Sequence, residues 1–291
     1  MQIALHLGVH CTDEDRLTKC LRRNAEKLAE EGINVPDVSR YRPVIREAMH
    51  VLQDDAAPIE MQQTLLDAMM DDDDASRIVL SHDSFLGVPG RAVESNQLYT
   101  TTSFKMPRLR NLFGQSQVEI FIALRDPATF IPAVFGRAKE PEFAKFIEGS
   151  DPLSLRWSDM ITRLRAAVPD APVTVWCNED TPLIWHEILR AMSGHDEFTV
   201  LDGRDDFLGE LMRKGGLARM QSYLEAHPPK NELQRRRIVS AFLDKFAMED
   251  ALEEEIDLPG WTEDYVEQLS ALYDEDVEKI ALIEGVTLLR P

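Results

Sequence analysis

The chain has 291 residues, 44% of them hydrophobic and 29% charged, a balance that excludes disorder, collagen and a disulfide scaffold. Lys and Arg number 32 against 52 Asp and Glu, a net charge of −20, so neither nucleic acid nor an anionic membrane surface is expected as a partner. No apolar run reaches the roughly 20 residues that span a bilayer, Met1–His6 lacks the basic flank of a signal peptide, and Cys11, Cys20 and Cys177 are too scattered for a disulfide framework, so a cytoplasmic location with free thiols is expected.

Ile3-Ala4-Leu5-His6-Leu7-Gly8-Val9 is short and mostly apolar and reads as a buried strand. Thr12, with Asp15 three residues on, is a variant of the capping box and predicts a helix start. Leu17, Leu21, Asn24 and Leu28 follow at helical spacing, and Gly32 is the expected stop. Helical patterns cover about 41–53 and 58–70. The Asp71-Asp72-Asp73-Asp74 run has no EF-hand spacing and reads as an exposed turn. Ser76 to Ser81 is a strand ending at His82-Asp83, followed by a helix over about 106–114. Val118 to Leu124 is a strand ending at Arg125-Asp126-Pro127, with helices over about 127–148 and 154–168 beyond it. Pro172 to Cys177 is a strand ending at Asn178-Glu179-Asp180, then a helix over 182–193 and a shorter strand at Phe198 to Leu201. Trp157, Trp176 and Trp185 near the fourth strand read as core packing.

Strands alternating with helices predict an α/β fold, a three-layer arrangement of a parallel sheet of four or five strands flanked by helices, over residues 1–205. Residues 206–291 read as an all-helical C-terminal region packed on that core, with helices at Phe207–Met212, Leu217–Ala226, Glu232–Glu255 and Glu263–Ile283. Arg235-Arg236-Arg237 is a dense basic cluster within it, and Glu249 to Glu278 holds 13 acidic residues and no basic one. Such a run is ordinarily a solvated helix face. Its second reading is a surface for a basic partner.

Ligands of open parallel sheets bind outside the carboxyl ends of the strands. Those ends carry His10-Cys11-Thr12, His82-Asp83, Arg125-Asp126 and Asn178-Glu179-Asp180, which would share one rim. The turn after the first strand suits an anion, because helix N-termini present N–H groups and a favourable dipole. It lacks the Walker pattern, however, and Asp13, Glu14 and Asp15 compete with a phosphate. His6 and His10 on one extended segment would stand about 13 Å apart at ~3.3 Å per residue, so they cannot share a metal unless the chain turns. His6 therefore reads as a core residue. A site of His10, His82 and Asp83 on a metal, or a nucleophilic Cys11 with a His base, gives a hydrolase as a third reading.

The segment from His6 to Arg16, His-Leu-Gly-Val-His-Cys-Thr-Asp-Glu-Asp-Arg, resembles the opening of bacterial sulfotransferase-like proteins, whose P-loop-like motif has the form H-x-G-x-x-K-T-G-T-T-S. Val118 to Pro127 is similar to the family's second strand motif, which ends in R-x-P, and Trp261, Tyr265, Tyr273 and the Leu288-Leu289-Arg290-Pro291 tail are similar to its closing helix. The resemblance implies PAPS or PAP as the nucleotide. It places Gly8, Cys11, Thr12 and Arg16 on the 5′-phosphosulfate side and Arg125 on the 3′-phosphate. Cys11 stands where the family has its Lys, Asp13 where it has Gly, Glu14 where it has Thr, and Ala133 about where it has Ser. Loss of one charge-assisted hydrogen bond costs roughly 1.5–3 kcal/mol, ten- to hundred-fold in affinity. Arg16, Arg42 and Lys105 are the cations that could stand in, the last two from loops. Arg213-Lys214-Gly215 resembles the R-K-G motif of some eukaryotic sulfotransferases but sits in a helical stretch, far from the C-terminus.

Sulfuryl transfer to a hydroxyl or amine acceptor needs a base, and Asp83, His82 and His10 are the candidates. The expected function is therefore a sulfotransferase-like protein with an altered nucleotide loop. The alternative is a non-catalytic interaction protein that uses its acidic C-terminal helices.

Overall fold

Ile3 to His6 are buried throughout, and they form the inner strand β1 (Gln2–His6). It pairs in parallel with β3 (Arg77–Ser81) on one side and β6 (Gln117–Leu124) on the other. The computed structural model describes residues 1–70, 74–248, 256 and 258–291. Residues Asp71 to Asp73 of the acidic turn, and most of the acidic run from Glu249 to Asp257, lie outside the described residues. Together with β2 (Ile33–Asn34), β7 (Val173–Cys177) and β8 (Val286–Leu289), the strands make one sheet in the order β2-β3-β1-β6-β7-β8. Every pairing in it is parallel.

Alternation along the buried strands divides the core between the two faces of the sheet. Ile3, Leu5, Ile78, Leu80, Ile120 and Ile122 face the larger cluster. It is closed by α3 (Val38–Leu52), α4 (Ile59–Met69), α5 (Thr102–Asn111), α6 (Pro127–Arg137), α8 (Trp157–Ala167) and α13 (Glu263–Ile280). Ala4, Val79, Phe121, Ala123 and Trp176 face the other cluster, under α1 (Arg16–Arg23), α2 (Ala25–Ala29) and α9 (Thr181–Ser193). The α/β fold with helices on both faces is as expected.

The sheet is wider than expected, with six strands. Its added edge strands β2 and β8 are two and four residues long. Phe198 to Leu201 is not a strand. Beyond β7 the sheet edge is taken by β8, and the loop instead bonds through Thr199 Oγ1 to Glu31 and through the Val200 carbonyl to Lys27. The helix expected over 127–148 breaks into α6 and the short α7 (Phe143–Phe146), because Ala138 leaves the helix in extended conformation. A small antiparallel hairpin, β4 (Val93–Glu94) and β5 (Gln97–Leu98), also escapes the sequence pattern. It turns at Ser95 and Asn96, both with positive φ.

Past residue 205 come α10 (Asp206–Leu211), α11 (Gly216–Ala226), α12 (Glu232–Phe246) and α13. The helix expected over Glu232–Glu255 ends at Phe246, because Ala247 leaves the helical conformation, and residues 249–255 lie outside the described residues. The region is also not all-helical as expected, since Val286–Leu289 returns to the main sheet as β8. Leu208, Met212, Met220 and Val239 give α10–α12 a small core of their own. Arg213-Lys214-Gly215 lies in the turn between α10 and α11, not inside a helix. No helix among the described residues is long and apolar enough to cross a membrane.

The start of α8 is capped in trans. The buried carboxylate of Asp276, on α13, accepts from the Ser158 backbone N–H at 3.0 Å and from its hydroxyl. This satisfies an orphan donor of the first turn and places negative charge at the positive end of the helix dipole. Asp276→Ala is expected to lower unfolding stability by roughly 1.5–3 kcal/mol, the worth of a hydrogen bond to a charged group. Urea denaturation checks this against Glu278→Ala, a solvent-facing partner of Arg290, for which a change within about 0.5 kcal/mol is expected.

Candidate functional site

The carboxyl ends of β3, β1, β6 and β7 stand side by side along one edge, as the parallel order requires. The chain leaves β1 at Leu7, whose N–H donates to the Phe121 carbonyl at 2.9 Å, and turns at Gly8 with φ +50°. A Cβ on Gly8 would lie 2.7 Å from Asp83 Cα and 2.8 Å from its amide nitrogen. Only glycine lets this turn ride on the His82–Asp83 backbone.

The turn runs on to Asp15 before any helix begins. Thr12 is not the helix cap. Its hydroxyl donates back to the Val9 carbonyl at 2.7 Å. α1 starts at Arg16, and Asp15 sits before it in left-handed conformation with no side-chain capping bond. The cap is supplied by Asp13, whose Oδ2 accepts from the Leu17 N–H at 3.3 Å while its carbonyl accepts from the Arg16 N–H at 3.0 Å. A short carboxylate that folds back onto the first helical turn outcompetes the Thr12 hydroxyl for those donors. Burial raises the Asp13 carboxyl above its ordinary pKa, against a smaller opposing pull from His6.

Behind this loop His6 is buried, lies parallel to Trp176, and bonds Ser81 Oγ through Nδ1 at 2.8 Å. It is a core residue as expected, but its Nε2 has no partner among the described residues. Arg125 is brought to the turn by the β1–β6 pairing. It is buried, donates through Nη1 to the Cys11 carbonyl, and bonds Thr129 Oγ1 through Nε at 3.0 Å. It braces the turn from beneath. Arg16 points elsewhere: its Nε pairs with Glu210 on α10 at 2.7 Å and its guanidinium covers the Phe207 ring.

In front of the turn lies a cleft of about 230 Å³, lined by Gly8, Cys11, Asp13, Asp83 and Arg137 among others. Arg137, in the last turn of α6, also pairs with Glu14 at 2.8 Å. Of the three candidate bases only Asp83 lines this cleft, and the three are in different states. The His10 N–H donates to the Tyr99 hydroxyl at 3.2 Å, and the hydroxyl in turn meets His10 Nδ1 at 2.8 Å. His10 Nε2 is buried and has no partner among the described residues. Burial, opposed in part by Asp83, lowers the His10 pKa to about 4. Neutral His10 therefore has one ring nitrogen engaged by Tyr99 and the other closed off from solvent. His82 Nδ1 accepts from the Ser84 N–H at 2.8 Å, which leaves the proton on Nε2. Its pKa is also lowered, chiefly by burial. Asp83 alone keeps solvent-facing carboxylate oxygens, one of them accepting from Ser84 Oγ at 2.9 Å.

The charges of Lys105 and Arg42 are felt at His82, and that of Lys105 also at His10. They come from helices α5 and α3, not from loops. Lys105 is half-buried, its pKa lowered by burial and then by Arg91, and its side chain has no acceptor among the described residues. Tyr99 is the functional neighbour that sequence reasoning missed. It is buried, sits in left-handed conformation, and meets His10 across 89 residues of chain. At the other end of the rim Glu179 is structural, accepting from the Asp126 N–H at 2.9 Å and from the Tyr273 hydroxyl at 3.2 Å. Cys11, Cys20 and Cys177 are buried and outside any disulfide, and burial pushes the Cys20 and Cys177 thiols up to about 11 and about 12. No group of three or more His, Cys, Asp or Glu able to hold a metal ion occurs among the described residues. No family model, curated protein or solved structure matches this chain.

Gly8→Ala is expected to lose at least about 1–3 kcal/mol to backbone strain alone, with the Asp83 clash added. By contrast, Gly136→Ala in α6, where a Cβ meets nothing within 4 Å, is expected to gain about 0.5–1 kcal/mol from helix propensity. Equal thermal midpoints for the two variants would disprove the close approach. A second prediction concerns pH. His10 titrates near 4 when folded and at the ordinary 6.5 when unfolded, so the unfolded chain takes the proton first on acidification. Its contribution is present above pH 6.5 and lost as pH falls toward 4, about 3 kcal/mol in all at ~1.4 kcal/mol per pKa unit. His10→Asn should therefore flatten the decline in melting temperature across that window, and an unchanged slope would show that His10 does not titrate as described.

Proposed function

We propose that this chain is a sulfotransferase-like protein whose cleft beside Gly8 takes an oxyanion of the sulfuryl or phosphoryl class, with PAPS as donor and a hydroxyl or amine as acceptor. The observation that carries this reading is Lys105. A half-buried ammonium without an acceptor among the described residues sits within electrostatic reach of His10 and His82. In this reading Lys105 supplies the charge that the family resemblance assigns to position 11, where this chain has Cys11, although neither Lys105 nor His10 lines the cleft itself. In the transfer the acceptor's oxygen or nitrogen bonds to sulfur as the bond from sulfur to the nucleotide's bridging oxygen breaks. Asp83, the only candidate base left with open oxygens, takes the acceptor's proton.

A second reading has its own support. The Asp13 carboxylate already accepts the α1 donor that a phosphate would use, and Arg125 is engaged with Cys11 and Thr129. Both favour a protein that keeps the fold without the transfer and meets a basic partner through its acidic helices.

Calorimetric titration with PAP and PAPS separates the two. The transferase reading expects weak binding to the native chain, lost about ten- to hundred-fold in Lys105→Ala, as one charge-assisted hydrogen bond predicts. Asp13→Gly should tighten it by a similar factor. Heat seen only with Asp13→Gly supports the non-catalytic reading. No heat with any of the three overturns the nucleotide site altogether, and equal affinity in native chain and Lys105→Ala places it elsewhere.

A further inference from the structure

Behind α9, the segment leading into α10 and the α11–α12 hairpin enclose a second cavity of about 540 Å³, against about 230 Å³ for the cleft at Gly8. The two share no lining residue, so a ligand in this cavity is independent of any nucleotide at the cleft. The size suits a small molecule. Arg235 forms part of its floor and is only 5% exposed. Its Nη2 donates to Asp205 Oδ1 at 2.6 Å and to His186 Nε2 at 2.8 Å. Its Nη1 is buried and has no partner among the described residues.

Arg204 lines the same cavity, half-buried, and its side chain makes no hydrogen bond or ion pair among the described residues. Its charge is felt at His186, Asp205 and Arg235 alike. Two guanidiniums with unused donors are a strong carboxylate-binding pair. The walls also carry Glu225 and Glu232, both exposed and neither in an ion pair among the described residues. These carboxylates and Asp205 outnumber the two arginines, so a multiply charged anion is disfavoured. A plain cation would meet the guanidiniums. A lining that holds both guanidiniums and carboxylates suits a ligand that carries both signs.

We propose that this cavity binds a small zwitterion of the amino-acid type, its carboxylate on Arg204 and Arg235 and its ammonium toward Glu225 and Glu232. The test is calorimetry on the full chain with 6-aminohexanoate, with hexanoate and pentylamine as single-charge analogues, and with inorganic phosphate. 6-Aminohexanoate should bind in the millimolar range, and each analogue about tenfold or more weaker. Arg204→Ala breaks no bond among the described residues, so it should keep the native melting temperature while weakening 6-aminohexanoate about tenfold. Glu232→Gln should weaken 6-aminohexanoate but not hexanoate. PAP binding at the Gly8 cleft should be indifferent to both variants, which keeps failure here distinct from failure there. No heat from 6-aminohexanoate up to on the order of 10 mM, unchanged affinity in Arg204→Ala, or phosphate binding tighter than 6-aminohexanoate would each overturn the proposal.

Discussion

The rim of the sheet is organised by the contact between the Gly8 turn and the backbone of Asp83. β1 is hydrogen-bonded on both sides, so the chain leaving it cannot swing toward either neighbour. It must pass over the end of β3, where the register sets His6 against Ser81 and so brings His82 and Asp83 beneath Gly8. A side chain at Gly8 would occupy the space of the Asp83 main chain. Once the turn is seated there, His10 falls beside Tyr99 and the Cys11 carbonyl falls on Arg125. The cleft is the space left between that turn and Asp83.

The turn holds Cys11, Glu14 and Asp15 in left-handed conformation, none of them glycine. Such residues cost roughly 1–2 kcal/mol each. Against them stand the Arg125 bond to Cys11 at about 1.5–3 kcal/mol, the Thr12 bond to Val9 at about 1 kcal/mol, and the surface pair of Arg137 with Glu14 at under about 1 kcal/mol. The two sides are similar in size. Arg125 is therefore as much a part of the turn's stability as of any anion site, and a ligand that drew it away would have to offset the strain itself.

Long buried strands were legible because an apolar run between turn residues has few other uses; β1, β3, β6 and β7 all announce themselves this way. Ile33–Asn34 and Val286–Leu289 did not, since strands of two and four residues at the sheet edges carry too little pattern. Phe198 to Leu201 misled for the opposite reason. It has the composition of a strand, but Phe198 is 82% exposed and no open edge remains beside β7. At the rim, the positions of Gly8, Asp83 and Arg125 came from strand order alone. The states of His10 and His82 did not, because each is fixed by a partner that sequence proximity or type cannot assign, Tyr99 far along the chain and the main chain of Ser84. Thr12 and Asp13 show the same limit within one turn, where two side chains compete for the same helix donors and geometry chooses between them.

The C-terminal helix explains why the rim holds its shape on the side away from the cleft. Trp261 Nε1 donates to the Ala128 carbonyl at 2.8 Å, Ser270 Oγ to Asp126 Oδ2 at 2.5 Å, and the Tyr273 hydroxyl to Glu179. The acceptors lie at Asp126 after β6, at Ala128 in the first turn of α6, and at Glu179 just after β7. Asp126 in turn caps α6 by accepting from the Ala128 N–H, and Trp157 Nε1 bonds the Arg125 carbonyl at 2.8 Å. The main chain on either side of Arg125 is thereby fixed by α13 and α8, while its side chain reaches the opposite way to Cys11. The closing helix thus acts on the first turn of the protein through one guanidinium. A change in α13 that loosened Asp126 would reach the cleft through the stem of Arg125.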